Sequence, residues 1–180
     1  MPVDPIFDAV FKDIYGKPCW RVTPGHGSFL TLEFGNPHLE IREPITPREN
    51  TPQDVGEDLQ SRRVSIHGDW HLWIYCCNWR VLRENELVGD SSSDSRIQRA
   101  ADYLDGQKLV QFSIQVPSVQ CVFAFDLGAC LETRPYDHDS EQWLFFDQRA
   151  SKVLTLRADG FYSYHRSDQA GEEEWLPIQV

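Results

Sequence analysis

Apolar and polar residues alternate along most of this chain, and the alternation predicts many short strands. Two stretches show helical spacing instead. Asp4 and Pro5 suit the first positions of a helix whose apolar stripe runs to residue 14, and residues 91–94 suit the start of a second helix ending near residue 104. Gly16 and Gly106 follow these stripes and predict left-handed helix ends. The pattern therefore predicts an α+β fold dominated by strands.

The hydrophobic pattern also occurs twice. Residues 30–35 read Leu-Thr-Leu-Glu-Phe-Gly, residues 123–128 read Phe-Ala-Phe-Asp-Leu-Gly, and Leu-Glu-x-Arg follows at 39–42 and 131–134. Helix, glycine, strand, hairpin and aromatic strand occur twice in the same order. This order predicts a single domain (1–180) with pseudo-repeats at about 4–83 and 94–166 and a solvated tail at 167–180. Each repeat is expected to be a short helix plus four to five antiparallel strands, and both are expected to share one core.

The repeated hairpins predict which residues are buried. The expected core residues are Leu30, Leu32, Phe34, Leu39, Phe123, Phe125 and Leu127. The acids beside them are expected to stay at least partly solvated, and these are Glu33, Glu40, Asp126 and Glu132. Residues 44–63 contain three prolines and few large apolar groups, which predicts a long loop.

Charge narrows the classes of partner. Asp and Glu total 28 against 17 Lys and Arg, a formal net charge of −11. Nucleic-acid affinity depends on phosphate contacts, so we expect neither nucleic acid nor an anionic membrane as a partner. A basic protein or cationic ligand would be attracted. The alternative is that the charge only maintains solubility.

The apolar segments indicate where the protein is located, and the cysteines indicate its redox state. The chain has no run of 18 apolar residues, and its first residues lack a signal-peptide core, so we expect a cytoplasmic protein. Five cysteines without a CxxC spacing are expected to be reduced and mostly buried, and no zinc site is expected from them. We expect no cofactor.

Two groups of residues offer catalytic chemistry. Glu33 and Glu40 flank the first predicted hairpin, and paired carboxylates can hydrolyse glycosides. A solvent-facing ladder completed by Arg42 is the favoured interpretation, so no catalytic residue is predicted. His67, Asp69 and His71 would share one face of a strand, which makes a metal site geometrically possible. We expect no metal there, because no further ligand is evident.

A partner-binding surface is expected where acids lie beside exposed aromatic residues. The candidates are Asp137, Asp139 and Glu141 beside Trp143 or Trp70. Exposed aromatic side chains are common in protein interfaces.

The repeated plan resembles a group of uncharacterised bacterial proteins, which are small, acidic, two-repeat domains of unknown function. The residues that carry the resemblance are Gly106, Leu109, Phe123, Phe125, Gly128, Leu131, Trp143, Leu144, Asp159 and Gly160. They are packing and turn residues, so the resemblance implies a fold and transfers no catalytic residue.

In size and charge the chain also resembles immunity proteins, which neutralise basic toxins. We therefore expect a non-enzymatic binding protein, of immunity type, that docks a basic partner. The alternative is a small-ligand-binding or hydrolytic β-barrel that uses the face of His67, Asp69 and His71. A deep apolar pocket lined by those residues would favour the alternative.

Overall fold

The structure is a computed structural model, and it describes residues 4–168 and 173–179. The helices in these residues are α1 (Pro5–Phe11), α2 (Gln53–Leu59) and α3 (Asp94–Leu104). The strands are β1 (Cys19–Pro24), β2 (Leu30–Phe34), β3 (His38–Arg42), β4 (Arg63–His67), β5 (Trp70–Ile74), β6 (Cys77–Arg83), β7 (Glu86–Asp90), β8 (Leu109–Gln115), β9 (Gln120–Phe125), β10 (Ala129–Pro135), β11 (Glu141–Asp147), β12 (Lys152–Arg157), β13 (Phe161–Arg166) and β14 (Leu176–Pro177). The β-dominated α+β prediction is confirmed. Part of the tail that was predicted to be solvated, residues 169–172 and 180, lies outside the described residues.

The strands of the described residues form three antiparallel sheets. The large sheet has the order β1-β2-β5-β11-β12-β13-β14, the smaller sheet has the order β7-β6-β10-β9-β8, and β3 pairs only with β4. Each half of the chain supplies strands to both larger sheets. Strands β1, β2 and β5 start the large sheet, which β11 to β14 complete, while β6 and β7 extend a smaller sheet built from β8 to β10.

Both predicted helices form, and local sequence explains their ends. The Asp4 carboxylate accepts a hydrogen bond from the Ile6 N–H at 3.2 Å and caps α1. Phe7 and Phe11 on α1 are fully buried, as are Ala101 and Leu104 on α3. Gly106 follows α3 by two residues, whereas α1 ends at Phe11, five residues before Gly16. The φ angles of Gly16 and Gly106 are +77° and +86°. That left-handed backbone favours glycine.

The two glycine turns contact each other across the molecule. The Gly16 N–H donates to the Leu109 carbonyl at 2.8 Å, and the Gly106 N–H donates to the Cys19 carbonyl at 2.8 Å. Between these bonds, Pro18 and Lys108 form an isolated bridge. These bonds join the start of β1 to the start of β8, so they link the edges of the two larger sheets.

The predicted first hairpin is wrong. Strands β9 and β10 pair directly, as predicted for the second copy, but β2 and β3 lie in different sheets. Strand β2 pairs with β1 and β5 instead, and β3 leaves the sheet to pair with β4. The aromatic strands β5 and β11, expected at matching places in the two repeats, lie side by side. The two-repeat prediction is therefore not confirmed in the form predicted.

One core contains residues of both larger sheets together with α1 and α3. Five of the predicted core residues are buried, and these are Leu30, Leu32, Phe34, Phe123 and Phe125. Leu127 is 70% exposed because it lies in the tight turn between β9 and β10, and Leu39 is 69% exposed because no other element covers β3. Glu33, which was expected to be solvated, is only 4% exposed. These three predictions are wrong.

The predicted loop at residues 44–63 contains an element that the sequence pattern did not show. Helix α2 begins after Pro52 and buries only Gly56. Its lack of an apolar stripe explains why periodicity missed it.

None of the helices in the described part of the chain is long and apolar enough to cross a membrane.

The five cysteines are free, as predicted. Three of them, Cys19, Cys77 and Cys121, are buried, whereas Cys76 and Cys130 are partly exposed. Burial raises the pKa of both Cys19 and Cys121 to about 12, and it also raises the pKa of Cys77. Since the thiolate is the reactive form, the three buried thiols are inert packing groups.

Candidate functional site

A buried carboxylate and two histidines converge at one end of the ribbon formed by β3 and β4. Glu33 lies on β2, and its backbone is opposite His71 on β5. Its Oε1 contacts His71 Nδ1 at 2.8 Å and His67 Nδ1 at 3.2 Å. Its Oε2 accepts the Gly68 N–H at 2.9 Å. One glutamate therefore joins the last residue of β4, the following turn and strand β5.

The neighbours of Glu33 favour its charged form. Burial opposes ionisation, but the hydrogen bond and charge of His71, the Gly68 N–H and the charge of His67 together outweigh it. The pKa of Glu33 therefore lies below its ordinary value. A carboxylate that is 4% exposed and still ionised needs such partners, because an unpaired buried charge is costly.

The second ring nitrogen of His67 also has partners. Its Nε2 lies 3.1 Å from Ser65 Oγ and 3.3 Å from Glu40 Oε2. The His67 side chain is 33% exposed and the Glu40 side chain is 70% exposed, so this side of the cluster reaches solvent. His71 is less accessible, with a side chain 17% exposed.

Asp69 does not join the two histidines, although the sequence predicted one face with His67 and His71. A turn at Gly68 and Asp69 separates β4 from β5 and directs the carboxylate elsewhere. Its Oδ2 accepts the Asn36 N–H at 2.8 Å, and its Oδ1 lies 2.8 Å from His38 Nε2. Burial opposes ionisation of Asp69, but these bonds outweigh it and lower its pKa. The predicted grouping is thus correct for the histidines and wrong for the aspartate.

An open cavity lies beside the cluster. Its volume is about 340 Å³, and its lining residues are His38, Leu39, Glu40, His67, Gly68, Gln148 and Arg149. The guanidinium of Arg149 lies 4.4 Å from the centre of the Trp70 ring. Of the three residues named for a small-ligand pocket, His67, Asp69 and His71, only His67 lines this cavity, so the pocket that would have favoured a small-ligand-binding protein is not the one observed.

The predicted acidic and aromatic surface is only partly present. Trp70 is 2% exposed and Trp143 is fully buried, so their expected exposure is wrong. Trp143 packs edge-on against Phe7 and Phe11 of α1, which explains its burial. The three acids, in contrast to these tryptophans, are not buried.

Asp137 and Asp139 are exposed, and Glu141 is half-buried. The Asp137 carboxylate accepts the N–H groups of Asp139 at 3.2 Å and Ser140 at 2.8 Å, so it stabilises its own turn. Burial and the charge of Glu173 raise the pKa of Glu141. Asp137 and Asp139 therefore lie in the loop before β11, Glu141 is the first residue of that strand, and neither Trp70 nor Trp143 is exposed beside them.

An exposed apolar surface lies on the ribbon and was not predicted. Leu39 pairs with Ile66 and Ile41 pairs with Val64 across β3 and β4, so all four side chains share one face. They are 69%, 42%, 56% and 56% exposed, respectively. We call these four residues the apolar ribbon face. The sequence signal was the alternation in residues 39–41 and 64–66, of which only Leu39 was predicted to be a core residue.

The opposite face of the ribbon is polar and is held to the body. Arg42 Nη2 donates to the Asp58 carbonyl at 2.6 Å and to its Oδ2 at 3.0 Å. Arg21 on β1 donates to the Ile66 carbonyl at 2.6 Å. These bonds orient the ribbon while leaving its apolar face uncovered.

No family model, curated protein or solved structure matches this chain. The resemblance to bacterial two-repeat domains stays a prediction that rests on the residues that carry it.

Proposed function

We propose that this chain is a binding protein that docks a basic protein partner through the apolar ribbon face. The observation that carries the proposal is the set of four paired aliphatic side chains that no element covers among the described residues. Contiguous exposed apolar patches rimmed by polar groups are typical of protein interaction sites.

The ribbon offers enough energy for a specific contact. Complete burial of one aliphatic side chain contributes ~1.5–3 kcal/mol, so four half-exposed side chains offer on the order of 4 kcal/mol. A two-stranded ribbon is marginally stable by itself, and a partner packed on this face would also stabilise it. The acidic loop around Asp137 carries no comparable apolar contact.

Charge indicates the chemistry of the partner. The net charge of −11 attracts a basic protein over the whole surface. On the ribbon, Glu40 lies on the face opposite the apolar one and is 70% exposed, and Glu43 is 63% exposed and paired with Arg62 at 2.8 Å. The ribbon also carries Arg42 and Arg63, so attraction of a basic toxin, in the proposed immunity-type role, rests on the net charge of the whole chain.

We also propose that the two halves are pseudo-repeats that exchange strands between the sheets. The contacts of the glycine turns recur at a spacing of ninety residues, and a second pair follows the same spacing. The Val22 N–H donates to Asp105 Oδ1 at 3.0 Å, and the Phe112 N–H donates to the Tyr15 hydroxyl at 3.2 Å. An experimental structure that lacks these matched bonds would remove the support for this proposal.

The binding proposal is tested with ribbon variants. Ile41→Ser combined with Val64→Ser removes one cross-strand apolar pair, and Leu127→Ser is the matched control because Leu127 is exposed outside the ribbon. Wild type and variants are immobilised and exposed to a lysate of the native host at low salt. A basic protein that the wild type captures is identified and purified. We expect its affinity to fall at least about tenfold for the ribbon variant, which is about 1.4 kcal/mol, and to be unchanged for the control.

Association of the purified pair is then measured at several salt concentrations. We expect the on-rate to fall as salt rises, because exposed charges are screened beyond ~8–10 Å near physiological ionic strength. Equal binding by the ribbon variant would disprove the assignment of the surface. Sedimentation that shows a wild-type dimer, dissociated by the ribbon substitutions, would assign the face to a second copy of this chain.

A further inference from the structure

We propose that Glu33, His67 and His71 form a binding site for one divalent transition-metal ion, with Zn²⁺ the best fit. This inference goes beyond docking and is independent of the ribbon partner. One potential ligand atom from each residue lies within 4.8 Å of the other two. The three residues come from β2, β4 and β5, so the fold assembles the site from distant parts of the sequence.

The spacing of the ligand atoms suits a tetrahedral ion. Zinc bonds of about 2.0–2.2 Å place neighbouring ligand atoms ~3.3 Å apart in a tetrahedron. Glu33 Oε1 lies 2.8 Å from His71 Nδ1 and 3.2 Å from His67 Nδ1. Separations of this size require only small side-chain shifts to admit the ion. The donor set of two imidazoles and one carboxylate is one that zinc accepts.

The protons also have a place to go. In the hydrogen-bonded form, each Nδ1 that contacts Glu33 Oε1 is a donor, and the metal needs its lone pair. A neutral imidazole can move that proton to Nε2. For His67, Ser65 Oγ and Glu40 Oε2 lie within 3.3 Å of Nε2, and either can accept a hydrogen bond from the resulting Nε2–H. Metal-binding histidines usually donate their second N–H to such a partner.

The carboxylate is held in a position that a metal ion can use. Gly68 occupies only Oε2, so Oε1 remains directed between the two imidazoles. A side chain at residue 68 would overlap the backbone of Phe34, which explains why glycine fits there. Three protein ligands leave a fourth position for water. Glu40 lines the adjacent cavity with His67.

A bound ion would fasten the ribbon to the large sheet. His67 is the last residue of β4, whereas Glu33 and His71 lie in the large sheet. The ribbon is also held by the bond from Arg21 to the Ile66 carbonyl and by the contact between His38 and Asp69. Metal binding is therefore expected to protect the adjacent segment of the same chain, which includes Arg62 and Arg63, from cleavage by trypsin.

The experiment is titration of the metal-free full chain with Zn²⁺ by calorimetry and with Co²⁺ by visible absorption. We expect one ion per chain and a cobalt spectrum without thiolate charge-transfer bands. Glu33→Gln and His71→Gln should each weaken binding by more than the about 10–100-fold typical of lost outer partners, and Glu40→Gln should fall within that range. Zinc should slow tryptic cleavage of the wild type but not of Glu33→Gln or His71→Gln.

The matched controls are His38→Gln, which changes a cavity histidine outside the cluster, and Cys76→Ser, which removes a partly exposed thiol. Both should keep wild-type affinity. Circular dichroism checks folding, and if His71→Gln does not fold, His67→Gln replaces it because that side chain is 33% exposed. Absence of one-to-one binding, unchanged affinity in the folded cluster variants, or loss of binding in Cys76→Ser would overturn the site.

Discussion

Replacing Glu33 by glutamine tests whether the buried carboxylate holds the ribbon to the body. The substitution keeps the shape of the side chain and removes its charge. Glu33 accepts hydrogen bonds from the Gly68 N–H and from two imidazole Nδ1 atoms. Glutamine has one acceptor oxygen, and its NH₂ group faces at least one of these donors. Leaving a buried donor without its acceptor costs about 1–3 kcal/mol, so we expect a loss of about 2 kcal/mol in the free energy of unfolding.

The pH dependence of that loss has a definite sign. The pKa of Glu33 is lowered in the folded protein, so the folded state binds fewer protons than the unfolded state near its ordinary value of about 4.3. The stabilisation is therefore fully present above that ordinary pKa and is lost as the pH falls through the folded value. The difference between wild type and Glu33→Gln should therefore shrink as the pH falls below about 4.3.

The assay is urea unfolding of both proteins at several pH values in the presence of a metal chelator, so that bound ions do not contribute. Glu86→Gln serves as the control, because Glu86 is an exposed acid at the start of β7. We expect this control to lie within about 0.5 kcal/mol of the wild type. A Glu33→Gln protein as stable as the control at pH 7, or a difference that grows as the pH falls below about 4.3, would refute the reasoning.

Three further predictions concern packing, backbone and thiols. Phe123→Ala should lower the free energy of unfolding by about 3–5 kcal/mol in urea titrations, whereas Leu127→Ala should change it by less than about 0.5 kcal/mol because its side chain is 70% exposed. Gly68→Ala should destabilise the protein, by the same assay, more than the about 1–2 kcal/mol expected for Gly27→Ala. A side chain at Gly68 meets backbone, whereas Gly27 has a positive φ and open space around it. Cys76 should react with a thiol reagent in the native protein, while the three buried thiols should react only after unfolding. Rapid reaction of all five thiols in the native protein would contradict their burial.

Local features of this fold could be predicted from the sequence, and strand partners could not. Helix α1 was predictable because Asp4 and Pro5 mark its start and an apolar stripe follows. The alternation in β2 correctly identified the burial of Leu30, Leu32 and Phe34 but missed that of Glu33. Alternation does not say which strand lies alongside, however. Residues 35–37 have the composition of a hairpin turn, but Asn36 is bound by Asp69, and the chain leaves the sheet there.

The candidate site shows the same limit. The spacing of His67 and His71 identified them as possible metal ligands. Glu33, however, lies 34 and 38 residues before them. Its place opposite His71 depends on the pairing of β2 with β5, which periodicity does not specify. The exposure of Leu39 has the same cause, because an alternating pattern looks alike whether its apolar face meets a core or solvent.

The division of strands between the halves has a consequence during synthesis. Strand β5 emerges from the ribosome early, yet its neighbour β11 follows only after β6 to β10. With roughly 70 residues between them and synthesis at about 5–20 residues per second, β5 waits for several seconds with one edge unpaired. An unpaired edge strand invites pairing with other chains, so the yield of native protein should depend on translation speed and chaperone supply.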